Sequence, residues 1–180
     1  MPLSSRISPH MTTWSTFDAF RGLGIELFAN QLTTNSTAWP LANRGIMVPM
    51  YLDAPATVQK LFLVNGTAVS GNVDLGIYDW SYNRLCRITG GAGAAQAGVS
   101  NIQLFTPDTV LSLQPGRYRF AVSADNITST VAATGHSIRQ MRYMGMSQMA
   151  SALALPATWT PVNPASQVIP LAGFTNLSTL

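Results

Sequence analysis

The side chains that could do chemistry are few and scattered. Seven carboxylates, two histidines and one cysteine are spread over 180 residues, beside nine arginines and a single lysine, Lys60. A glycosidase needs two carboxyl groups flanking one bond, one as acid and one as nucleophile or base. Asp74 and Asp79 are the candidates, but they have opposite strand parity, and Asp79 sits at a turn, where aspartate commonly bonds the backbone. Calcium takes several oxygen ligands, which Asp79, Asp125 and nearby carbonyls could supply. His10 and His136 lie in unrelated contexts, so each reads as a surface or internally satisfied histidine rather than as half of a metal site. Cys86, within Leu85-Cys86-Arg87-Ile88, has no signature of an activated thiol and reads as a small buried residue. No Gly-x-Ser-x-Gly elbow occurs. No catalytic residue, metal ligand or cofactor is assigned, and the chain reads as non-enzymatic.

Two other features invite a ligand. Gly90-Gly91-Ala92-Gly93-Ala94-Ala95-Gln96-Ala97-Gly98 is glycine-rich, but it lacks the Lys and Ser/Thr of a phosphate-binding loop and no helical pattern follows it. It reads as a flexible surface loop. Trp80 and Tyr82, in the turn Trp80-Ser81-Tyr82-Asn83, could stack on the flat apolar faces of sugar rings and are the candidate glycan contacts. The competing reading is a turn stabilised by its own aromatic pair.

The elements that must position these residues read as strands. In Gly71-Asn72-Val73-Asp74-Leu75-Gly76-Ile77-Tyr78-Asp79, Val73, Leu75 and Ile77 fall on one face, with Asp74, Gly76 and Tyr78 on a wetter one. Arg117-Tyr118-Arg119-Phe120-Ala121-Val122-Ser123-Ala124 alternates as cleanly, with Tyr118, Phe120, Val122 and Ala124 inward and Arg117, Arg119, Ala121 and Ser123 outward. Residues 44–79 read as a three-strand meander. Pro49 cannot donate to a ladder and marks its edge, and residues 56–64, apolar on both faces near their end, form its centre. Further short strands are expected over 84–89, 100–105, 110–113 and 128–133. Residues 138–144 fit helix or strand equally, and Met141, Met144, Met146 and Met149 read as adaptable packing.

Three regions follow. Residues 1–43 form an N-terminal arm with a short helix whose Trp14, Phe17 and Phe20 share a face and pack on the chain's own domain or on a neighbour; residues 44–150 form the β core; residues 151–180 form an extended segment punctuated by proline, with a closing strand near Phe174. Charged residues make up 9% of the chain against about 25% in an average soluble domain, so much of the surface is expected to be buried in an assembly. Arginine outnumbers lysine nine to one, as suits interfaces. The net charge of +3 is dispersed, without the basic-aromatic stripe that nucleic acid requires. No apolar run reaches a membrane span and no signal peptide is visible at the start, so synthesis in a cytoplasm is expected.

Seven to nine short strands at roughly ten-residue spacing predict an all-β antiparallel sandwich, jelly-roll-like, with extended N- and C-terminal arms. An immunoglobulin-like strand order is the alternative. Ala42-Asn43-Arg44 onward to Asp53, residues 56–65, Ser70-Gly71-Asn72-Val73-Asp74-Leu75-Gly76-Ile77-Tyr78-Asp79, and Leu113-Gln114-Pro115-Gly116-Arg117-Tyr118 to Asp125-Asn126 resemble a group of tailed-bacteriophage virion proteins. Met146-Ser147-Gln148-Met149-Ala150-Ser151-Ala152 and Leu155-Pro156-Ala157-Thr158 resemble the same group. The resemblance spans residues 44–174 and rests on motifs of β architecture, so it implies a virion component of capsid, neck or tail and no catalytic residues. The expected partners are other virion proteins and further copies of the chain in a trimer or ring, with a host surface glycan as an alternative ligand, and neither nucleic acid nor membrane. Trp14, Phe17, Phe20, Met144, Met146, Met149 and Phe174 are the candidate assembly contacts.

Overall fold

The computed structural model describes residues 25–27, 35–90 and 93–178. The first eight strands are β1 (Ile25–Leu27), β2 (Asn35–Ala38), β3 (Gly45–Leu52), β4 (Ala56–Val58), β5 (Lys60–Val64), β6 (Asn72–Asp79), β7 (Arg84–Arg87) and β8 (Ala94–Ala95). There follow β9 (Ile102–Phe105), β10 (Leu111–Leu113), β11 (Gly116–Ala124), β12 (Thr130–Gly135), helix α1 (Ile138–Tyr143), β13 (Ser147–Met149), β14 (Val168–Pro170) and β15 (Ala172–Thr175). Every pairing among them is antiparallel.

The largest sheet has the order β13-β3-β11-β6-β7, with β8 added beside β6. A second runs β1-β15-β5-β9, a third β14-β12-β2, and β4 pairs with β10. Alternation sends Ile46, Val48, Val73, Leu75, Ile77, Phe120 and Val122 of the large sheet to one side. There they share a single core with Leu61 and Leu63 of β5, Val131 of β12 and Phe174 of β15. Each such buried aliphatic or aromatic side chain contributes about 1.5–3 kcal/mol relative to exposure. The fold is an all-β, sandwich-like packing of antiparallel sheets. Pairing establishes that class and not a jelly-roll order in particular.

Residues 44–79 are not a meander. β3 and β6 are both neighbours of β11, which stands between them, and β5 belongs to another sheet. Alternation gives a strand's faces but not its neighbours, and the decisive partner lies about forty residues further on. The expected central strand over 56–64 is also broken. It divides at Gln59, whose N–H donates to the carbonyl of Thr175 at 2.9 Å, and its halves join different sheets. β5 is central as expected, between β15 and β9. Pro49 also sits where the ladder tolerates it. β13 covers β3 only over Gly45–Met47, so Pro49 lies on a locally open edge.

The glycine-rich loop is anchored rather than loose where it is described. β8 pairs with β6, and Gln96 is buried. Its Nε2 donates to Asn65 Oδ1 at 2.9 Å and to the Thr130 carbonyl at 2.9 Å, while its Oε1 accepts from Ser129 Oγ at 2.5 Å and from Ser70 N at 3.1 Å. Residues 138–143 resolve as helix because Ser137-x-x-Gln140 is a capping box. Gln140 N donates to Ser137 Oγ at 3.3 Å and Ser137 N donates to Gln140 Oε1 at 3.0 Å. Gly145, at φ +74°, ends it.

Candidate functional site

The large sheet has an outer face opposite the core, and its register lays that face out in rows. Gly45, Ser123 and Asp74 form the first row across β3, β11 and β6; Met47, Ala121 and Gly76 the second; Pro49, Arg119 and Tyr78 the third. Tyr51 and Arg117 form a fourth, which Trp80 continues just past the end of β6. The expectation that this face is wet fails over its first half. There residues 152–159 lie across it as a strap, and Asp74, Gly76, Tyr78, Ala121 and Ser123 are all buried.

Small residues make room for the strap. A Cβ on Gly45 would stand 2.7 Å from Ala152 Cβ and collide with the Trp159 ring, and one on Gly76 would reach the Cys86 carbonyl at 2.8 Å and Leu155 Cδ1 at 3.0 Å. Ala152, Leu155 and Trp159 form a second apolar cluster with Met47, Tyr78 and Ala121. Trp159 meets Tyr78 edge-on at 6.0 Å between centroids, and Tyr78 Oη donates to the Pro156 carbonyl at 2.7 Å. Trp159 Nε1 donates to Ser147 Oγ at 3.2 Å.

Asp74 is the polar centre of this contact. Its side chain is fully buried, Oδ2 accepts from Leu155 N at 2.8 Å, and Arg87 Nη1 stands 3.6 Å from the same oxygen. Among the described residues, Oδ1 has no hydrogen-bond partner. Arg84 Nη1 donates to the Leu155 carbonyl, which Arg87 Nη1 also approaches at 3.4 Å. Burial pushes the Asp74 carboxyl up to about 6, against the Leu155 N–H, Arg87 and Arg84, which hold it down. The same exclusion of water raises the Tyr78 phenol, which stays a neutral donor. Asp74 has the protonation range of a general acid, yet the strap closes over it and leaves no room for a substrate. Its role is to anchor the strap.

The other half of the face is open. Tyr51 is 68% and Trp80 43% exposed. The Arg119 guanidinium lies between two rings, 4.0 Å from the Trp80 centroid and 4.1 Å from that of Tyr82, and its Nη1 donates to the Gly145 carbonyl at 3.4 Å. Burial lowers its pKa, and arginine remains charged regardless. Arg117, exposed, rests 5.5 Å from the Trp80 centroid. Tyr82 adopts a left-handed φ of +71°, a strained conformation for an aromatic residue, and is held there as Asp79 Oδ1 accepts from Asn83 N at 2.8 Å.

The remaining candidates separate. Asp74 and Asp79 lie five residues apart on one strand, roughly 16 Å, beyond the ~5–9.5 Å that glycoside hydrolysis uses. Asp79 and Asp125 mark opposite ends of the β6–β11 pair and cannot share a calcium ion; Asp125 instead accepts from Asn72 Nδ2 at 2.9 Å and Asn126 Nδ2 at 2.6 Å. Cys86 is buried in the core, with its thiol pushed up to about 12 by that burial. His136 is half-buried, and His10, Trp14, Phe17 and Phe20 lie outside the described residues. Met146 and Phe174 are buried in the chain's own core, and Met149 packs against the strap cluster. These three are therefore committed internally, whereas Met144 is exposed.

Sequence reasoning passed over Tyr51 and Trp159. The signal for Trp159 was a large aromatic residue inside a proline-punctuated segment, since a loop indole normally docks on something. Arg117 and Arg119 were correctly placed outward, but only register shows that they meet Trp80 and Tyr82.

No family model, curated protein or solved structure matches this chain.

Proposed function

We propose that this chain is a structural subunit of a tailed-phage virion, as a capsid decoration or cement protein, a neck component or a tail component. In this reading it assembles with further copies of itself, in a trimer or ring, and with other virion proteins. The supporting observation is a set of large apolar side chains left exposed in a chain with few charges. Leu41, Val99, Val110, Ile127 and Tyr143 are all at least 47% exposed, while charged residues make up 9% of the sequence. Large exposed apolar groups on a weakly charged surface mark contact sites. The resemblance over residues 44–174 supplies the kind of assembly.

The mechanism of assembly is burial of these side chains across subunit boundaries, together with strand addition at open edges. Among the described residues, the outer edge of β2 and the Pro49 side of β3 are such edges. Because the chain's own domain takes up the strap, the role of locking onto neighbours falls to the N-terminal segment and the exposed surface. No reaction and no cofactor belong to this reading.

Reconstruction of the phage particle by electron cryomicroscopy tests it. The sandwich should account for repeated density on the head, neck or tail. A complete particle inventory by mass spectrometry that lacks this chain overturns the proposal.

A second reading, a carbohydrate-binding module, is favoured by one observation, the open row that contains Trp80.

A further inference from the structure

The row Tyr51, Arg117 and Trp80 runs from β3 across β11 to the turn after β6, at the uncovered end of the outer face. Tyr51 and Arg117 are directly opposed in the β3–β11 ladder, and Trp80 follows Asp79, which is opposed to Tyr118. Strands lie about 4.8 Å apart, so the Tyr51 and Trp80 backbones are roughly 10 Å apart, with Arg117 on the strand between them. That spacing fits a disaccharide unit. Tyr51 is 68% exposed and Trp80 43%, and Arg117 rests near a ring rather than on a carboxylate.

The surface beneath is packed. Arg119, wedged between Trp80 and Tyr82, fills one ring face of each and fixes the Trp80 ring. Tyr82 therefore supports the platform from within, and the ligand-facing aromatic residues are Tyr51 and Trp80. Arg117 and Arg119 give the surface positive charge. Its exposed member, Arg117, offers a planar fork that matches a carboxylate.

We propose that this row binds an acidic oligosaccharide, with sugar faces stacked on Tyr51 and Trp80 and a uronate-type carboxylate paired with Arg117. The inference stands apart from the virion reading. A saccharide fits better than an acidic peptide because the two exposed aromatic rings of the row match the flat apolar faces of successive sugars. Neither the groove of about 610 Å³ beside Tyr82 and Val162 nor the one of about 540 Å³ beside Ile138 and Tyr143 includes Tyr51, Arg117 or Trp80.

The experiment is calorimetric titration of the full chain with oligogalacturonate, with neutral cellohexaose and with poly-glutamate of matched length. Binding of the uronate alone is expected, weakening about tenfold or more in Trp80→Ala, Tyr51→Ala and Arg117→Gln. Leu177→Ala, exposed just past the end of β15 in another sheet, should leave binding unchanged. Unaltered melting curves in the three variants, whose substituted side chains are exposed, would show that folding is intact. Equal binding of cellohexaose overturns the role of Arg117. Equal binding of poly-glutamate shows a generic carboxylate surface and overturns the saccharide assignment, as does the absence of uronate binding.

Discussion

A carboxylate cut off from water stays ionised only through the groups that touch it. Asp74 has the Leu155 N–H and Arg87 at 3.6 Å for one oxygen, and among the described residues no hydrogen-bond partner for the other. These contacts fall short of the hydration lost, so burial lifts its folded value from 3.8 to about 6. The folded chain thus takes up this proton before the unfolded chain does as pH falls. The contribution to stability grows as pH drops through about 6 toward 3.8 and is lost as pH rises through about 6. A shift of about two units corresponds to about 3 kcal/mol at most. Asp74→Asn keeps an acceptor for Leu155 N and removes the charge. In thermal melts between about pH 7.5 and pH 4.5, the wild type should gain stability relative to this variant as pH falls, since other carboxylates titrate alike in both. Parallel curves would contradict the assignment.

Gln96 sets a second expectation at this scale. It satisfies Asn65, Ser129, Ser70 and Thr130 together, and Gln96→Ala leaves several of these polar groups buried without partners. A loss of about 1–3 kcal/mol in urea unfolding is expected. A change within about 0.5 kcal/mol, the range of ordinary surface substitutions, would mean that water replaces the side chain freely.

Among the elements, the strap has the largest consequences. Residues 152–159 turn the outer sheet face from a solvated surface into a second core, with Trp159 as its anchor over Gly45. Trp159→Ala should cost about 3–5 kcal/mol and expose the strap to limited proteolysis, with first cuts inside residues 150–163. Gly45→Ala should cost about 1–3 kcal/mol by forcing the indole outward. A protease-resistant strap in Trp159→Ala would show that the backbone bonds and Asp74 hold it unaided. The sequence carried part of this. The alternation of β6 and β11 was legible and their faces were assigned correctly. What alternation cannot convey is whether a later segment returns to cover a face, because that depends on contacts some eighty residues apart, such as Asp74 with Leu155. The small residues Gly45, Gly76 and Ala121 were the local trace of that cover.

On the scale of the whole molecule, strand content and antiparallel class followed from turn spacing and alternation, whereas strand order did not. A strand's partner is chosen by long-range packing, and so the run from β3 to β6 looked like a meander and is not one. The open row was half legible for the same reason. Trp80 stood out in its turn, but Tyr51 and Arg117 join it only through the β3–β11 register. What remains exposed after folding is a weakly charged surface with large apolar side chains, and self-association is its expected consequence. Sedimentation equilibrium of the full chain over a range of concentrations measures this directly. A closed oligomer, a trimer or ring, is expected and should persist on dilution; a single monomeric species at every concentration would contradict the structural role proposed for this protein.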